Sequence, residues 1–173
     1  MSEVAPELAA RVEGTTDSEW IYALVLSLLD DPFATVDVEE AALAVRQAIA
    51  RLRDLRERHG IGVQSPLNLV LSDGHWLIAT RFTFDYGWYP GDDSFFAAER
   101  EHDYTTLWYA SEDSDDMDCN GAAIGLPVKR SVVVSSEPLS RSFAGWSQAP
   151  EYSMLVIAPS GAGVSIETRE LDL

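Results

Sequence analysis

The residues best placed to do chemistry lie near the start of the chain, in Gly14-Thr15-Thr16-Asp17-Ser18-Glu19. Thr16 and Glu19 stand three apart, the spacing of a capping box. The threonine hydroxyl accepts from an orphan N–H of a helix's first turn, and the glutamate reaches back to the cap's own N–H. Asp17 falls in that first turn, where the aligned peptide dipoles favour a negative charge. On local physics alone the motif is complete as a helix start, worth about 1 kcal/mol.

Other constellations are thinner. Asp116-Met117-Asp118-Cys119-Asn120-Gly121 matches the opening of a calcium-binding EF-hand loop. The twelfth position, which needs a bidentate glutamate, is Pro127, and a strand rather than a helix precedes the loop. An acidic hairpin loop fits it better than calcium does. His59, His75 and His102 show no metal-ligand spacing, and no metal is expected. The absence of G-x-S-x-G removes support for a serine hydrolase. The glycines at 121–125 and 161–163 lack the spacing and following helix of a phosphate loop, and no cofactor is expected.

The capped helix is predicted from about Asp17 to Asp30. Ile21, Leu24, Val25, Leu28 and Leu29 form its apolar stripe, and Asp30-Asp31-Pro32 ends it. Before it, residues 1–13 form a polar leader with a short helical piece at 7–12. A second helix is expected from Val38 to about His59, with Val38, Ala41, Ala42, Val45, Ile49, Leu52 and Leu55 on one face. Its arginines, 46, 51, 53, 56 and 58, leave two readings open: a solvated face, or a site for an anion or partner. From Leu67 the period turns strand-like. Residues 67–71 and 76–82 read as a hairpin around a two-residue Asp73-Gly74 turn. Strands are also expected at 105–110, 131–135, 154–158 and 164–168. The aromatic and acidic stretch 85–104 is either a cover for a ligand or subunit edge, or an insertion packed on its own sheet. The total is two helices and about six mainly antiparallel strands, an α+β chain.

With 173 residues and 46% of them hydrophobic, the chain is long and apolar enough for one globular domain, 1–173. The formal charge of −17 opposes binding to nucleic acid and to anionic membrane surfaces, which carry the same sign. A single cysteine precludes an internal disulfide and fits a reducing compartment. The acidic start has no signal-peptide pattern, and no stretch is long and apolar enough to span a membrane. A cytoplasmic location is expected.

Thr16-Asp17-Ser18-Glu19 opening an apolar helix resembles the corresponding segment of class II, N-terminal-nucleophile glutamine amidotransferases. Further stretches fall in that family's order: Leu67-Asn68-Leu69 with Ser72-Asp73-Gly74, Ala79-Thr80-Arg81, Leu107-Trp108-Tyr109-Ala110, and Ser136-Glu137-Pro138-Leu139 ahead of Trp146. The likeness is nearest to the branch containing the amidotransferase-like subunit of the fungal glutathione-degrading complex. It implies an αββα sandwich and hydrolysis of glutamine or another γ-glutamyl amide. It also implies that Asp17 accepts the substrate's α-ammonium as a charge-assisted hydrogen bond. Thr16, Ser18 and Glu19 support that carboxylate. Glu137 either lies behind the substrate or makes a structural hydrogen bond at a strand end, where it would be desolvated unless paired.

Family members begin with a cysteine whose thiolate attacks the amide, whereas this sequence begins Met1-Ser2-Glu3 and has only Cys119. The family's carboxylate-binding arginine and Asn-Gly oxyanion donors precede the helix-cap motif. The chain therefore resembles the C-terminal portion of the domain, incomplete and without its catalytic residues. The expected partners are glutamine or a γ-glutamyl small molecule, and either a complementary N-terminal-half chain or further copies of itself. The alternative is a non-catalytic binding or regulatory subunit on the same scaffold.

Overall fold

The computed structural model describes residues 3–85, 106–114, 128–139, 145–161 and 163–173, with backbone alone at 112–114 and 128–130. Most of the 85–104 stretch and the EF-hand-like segment with Cys119 lie outside the described residues. So do His102 and the glycines at 121–125. The chain divides into two compact units, residues 1–62 with Leu173, and residues 63–172.

The first unit is helical: α1 (Pro6–Ala9), α2 (Asp17–Leu26) and α3 (Val38–Arg58). Helix α2 stops four residues short of the expected Asp30. Ser27 explains the early end, because its hydroxyl donates to the Ala23 carbonyl at 2.7 Å and competes with continued winding. The same hydroxyl accepts from the Ala5 N–H at 2.9 Å and so ties the leader to the helix end. Beyond Ser27 the turns tighten, with Leu28 N–H on Val25 and Leu29 N–H on Leu26.

Helix α3 has a cap that the sequence reading passed over: Asp37 accepts from the Glu40 N–H at 2.9 Å. Ala41, Ala42, Val45 and Ile49 are buried as the periodicity required, and Ala44 and Ala48 widen that face. Gly60, at φ 64°, closes the helix in the left-handed conformation that glycine adopts without strain. Of the arginines left open between solvent and a partner, Arg58 and Arg51 meet Glu3, at 2.9 and 4.0 Å. Arg53 donates to the Leu173 carbonyl.

Among the described residues the second unit carries nine strands, all paired antiparallel. A four-stranded sheet runs in the order β2 (Val70–Ser72), β3 (Leu77–Arg81), β8 (Ser153–Ser160), β9 (Gly163–Glu170). A three-stranded sheet places β5 (Trp108–Ser114) between β6 (Val128–Ser135) and β7 (Trp146–Gln148). Strands β1 (Ser65–Pro66) and β4 (Thr83–Phe84) form a short ribbon. The two larger sheets share a core: Ala79 and Leu155 meet Leu107 and Ala149, with Tyr109, Val134 and Ile166 packed against them. Mixed helix and antiparallel sheet make the chain α+β, as expected.

The β2–β3 connection corrects the sequence reading. Ser72 pairs with Leu77, so four residues link the strands rather than two. Gly74 is the glycine with positive φ there, at 90°. Asp73 accepts from the N–H groups of His75 and Trp76 at 2.8 and 3.1 Å, an Asx-type turn that replaces the two-residue form. Partial burial pushes the Asp73 carboxyl up, and those two N–H donors with the nearby His75 more than offset it, holding it below its ordinary range. Strand β5 runs four residues past the expected end at Ala110, to Ser114, with a register irregularity between Glu112 and Asp113.

Candidate functional site

The start of α2 is built as its sequence prescribes, with one exchange of partners. Thr16 has extended backbone, and its hydroxyl accepts from the Glu19 N–H at 3.4 Å. The Glu19 carboxylate accepts from the Thr16 hydroxyl at 3.3 Å, rather than from the cap's backbone N–H as expected. It is folded so closely over Gly14 that a methyl group at Gly14 would overlap it. A side chain there would push the flexible Glu19 carboxylate aside, so glycine gives it room.

Asp17 occupies the first helical position and is exposed. Its Oδ1 accepts from the Ser18 N–H at 2.8 Å and lies 3.4 Å from the Ser18 hydroxyl. The next residue therefore fixes the orientation of this exposed carboxylate. Asp17 and Glu19 both lie in the first turn, on the positive end of the helix dipole. A carboxylate so placed can accept charge-assisted hydrogen bonds from a cation.

A cavity of about 350 Å³ opens beside this start, lined by Glu19 and by Tyr22, Ala23 and Leu26 of α2. Leu8, Val12, Arg11 and Phe33 complete its lining. Of the motif, Glu19 reaches this cavity and Asp17 does not. Sequence reasoning singled out none of Arg11, Tyr22 and Phe33. The available signal was an arginine in an acidic leader, among 12 basic residues against 29 acidic ones.

The later family-like segments converge within the second unit. Thr80, fully buried, donates its hydroxyl to the Leu67 carbonyl at 2.9 Å and accepts from the Leu69 N–H at 3.0 Å. Asn68 donates to the Thr106 carbonyl at 3.1 Å and accepts from the Phe82 N–H at 3.3 Å. Arg81, 5% exposed, donates to the Ala149 carbonyl at 2.7 Å and reaches Glu151 at 3.4 Å. Ala149 in turn donates its N–H to Leu107 at 2.8 Å, and Thr106 bonds the Ser136 carbonyl at 2.7 Å. These motif residues satisfy one another's buried polar groups and lock the two sheets in register. Glu137 is exposed, so the desolvation expected for it does not arise. Among the described residues, no group of three or more His, Cys, Asp or Glu is placed to hold a metal ion.

The family model for class II glutamine amidotransferases matches residues 1–171. The chain belongs to that family. Among solved structures it is similar to a glutamine aminotransferase class-II domain protein from Silicibacter pomeroyi, with a TM-score of 0.58 and 24% sequence identity. That likeness covers 97% of this chain and 58% of the other, so the chain spans rather more than half the length of this relative. At such identity the likeness concerns the fold. A comparison with curated proteins gave no match. No helix among the described residues is long and apolar enough to cross a membrane.

Proposed function

We propose that the chain binds glutamine or a γ-glutamyl amide, with Asp17 receiving the α-ammonium group. The observation that carries this reading is the exposed carboxylate at the first position of a capped ten-residue helix, oriented by Ser18, in a chain of this family. Thr16 and Glu19 hold the helix start, and Ser18 holds the carboxylate. The substrate class follows the branch that degrades γ-glutamyl compounds, and the setting is the cytoplasm.

Amide cleavage in this family requires an attacking thiolate, and the chain's one cysteine is Cys119. An activated nucleophile is not replaced by binding contacts. The 173-residue chain by itself is expected to bind without cleaving. Purified chain is expected to release no ammonia or glutamate from glutamine. Release that Asp17→Ala abolishes would contradict this.

Binding is tested by titrating the chain with glutamine and with glutaramate, which lacks the ammonium group. Glutamine is expected to bind about tenfold more tightly, the worth of one charge-assisted contact. Asp17→Asn should erase that preference. Equal affinity for both ligands in the unaltered protein would overturn the assignment. The reading as a non-catalytic subunit shares the ammonium site and is favoured by the lone Cys119; ammonia release on adding a complementary chain separates the two.

A further inference from the structure

The cavity of the helical unit lies on a different face of α2 from Asp17. Glu19, Tyr22, Ala23 and Leu26 line it at spacings of three, four and seven, which is one helix face. Asp17 precedes Glu19 by two positions, about 200° around the helix. Leu8 and Val12 supply aliphatic wall, and Phe33 supplies a ring. The Arg11 guanidinium lies 4.6 Å from the centroid of that ring, a cation–π contact that holds the charge at the cavity.

Arg11 and Glu19 both line this cavity, yet they do not pair with each other. Among the described residues Arg11 has no carboxylate partner at all, in a chain where acidic residues outnumber basic ones 29 to 12. Glu19 uses Oε2 on the Thr16 hydroxyl, and its Oε1 accepts from no described residue. Two opposite charges that leave each other unneutralised, above apolar walls, are complementary to a zwitterion with an apolar tail. We propose that this cavity binds a free α-amino acid with a large apolar or aromatic side chain. Its carboxylate meets Arg11, its ammonium meets Glu19, and its side chain lies between the Tyr22 and Phe33 rings and the aliphatic wall. About 350 Å³ is at the small end of ligand cavities and suits one amino acid better than a peptide. A zwitterion has no net charge, so the chain's −17 does not repel it.

The test is titration of the full chain with phenylalanine, 3-phenylpropionate and phenethylamine, followed by NMR shifts. Phenylalanine is expected to bind saturably and to move signals of Leu8, Val12, Tyr22, Leu26 and Phe33. The two analogues, each lacking one charge, should bind about tenfold more weakly. Arg11→Gln should make phenylalanine no better than phenethylamine. Glu19→Gln, which keeps a side chain able to cap, should make it no better than 3-phenylpropionate. The analogue series on the unaltered protein decides the matter even where a variant folds poorly. No saturable response to phenylalanine, equal binding of either analogue, or shifts confined elsewhere would overturn the proposal. No glutamine is present, so loss of this binding and failure of the Asp17 site are separate results.

Discussion

At the residue scale, the contact between Gly14 and Glu19 sets a condition that a helix-propensity argument misses. Alanine at Gly14 would ordinarily be neutral or helpful, but its methyl group meets the Glu19 carboxylate. Gly14→Ala should therefore cost no more than about 0.5 kcal/mol, the worth of the exposed Glu19–Thr16 side-chain contact it disturbs. In a Glu19→Ala background the cost should vanish, and a double-mutant cycle on thermal unfolding reads the coupling. An unchanged cost would place the problem in the backbone instead. The capping of α2 by Thr16 was legible in the sequence because capping is local chemistry within four residues, whereas the exchange of partners at Glu19 was not. The cavity beside them was not. Arg11, Tyr22 and Phe33 come from three separate stretches, and only tertiary packing brings them together.

At the scale of elements, Thr80 supports the junction of β3 with the 67–69 segment through one buried and one part-buried hydrogen bond. Thr80→Val keeps the shape and β propensity while taking the hydroxyl partner from the Leu67 carbonyl and the Leu69 N–H. It should cost about 2 kcal/mol in denaturant unfolding; a loss below about 0.5 kcal/mol would mean that water replaces the hydroxyl. Helices α2 and α3 were readable from apolar spacing, and β8 and β9 from apolar runs bounded by turn residues. Strands β1, β4 and β7 were not, since two or three residues cannot show a period of two. The end of α2 was missed for a different reason. Ser27 spends its hydroxyl on the backbone, a choice that residue type permits but does not dictate.

At the scale of the whole molecule, fold class could be read from the change in period near Leu67. The pairing of β3 with β8 and of β5 with β7 could not, because it joins strands far apart in sequence. Glu3 ties the leader to α3, and the Arg58 hydrogen bond holds its carboxyl below the ordinary value of 4.5. A depressed carboxyl stabilises above its unfolded pKa, and that contribution is lost as pH falls through the folded one. Glu3→Gln should thus lower stability at neutral pH, and the difference from the unaltered chain should disappear in acid. A difference that grows on acidification would contradict the latch. Val70, 60% exposed, lies on β2, an outer strand of its sheet among the described residues. Exposed apolar edges favour association, so the chain should self-associate or take up a complementary partner. Val70→Lys should shift sedimentation toward monomer, whereas a monodisperse, cooperatively melting unaltered chain would show that edge to be closed. The most direct measurement for the account is a crystal structure of the chain soaked with glutamine. The ligand's α-ammonium is expected within hydrogen-bond distance, about 2.8 Å, of an Asp17 carboxylate oxygen. Glutamine held elsewhere, with Asp17 untouched, would contradict it.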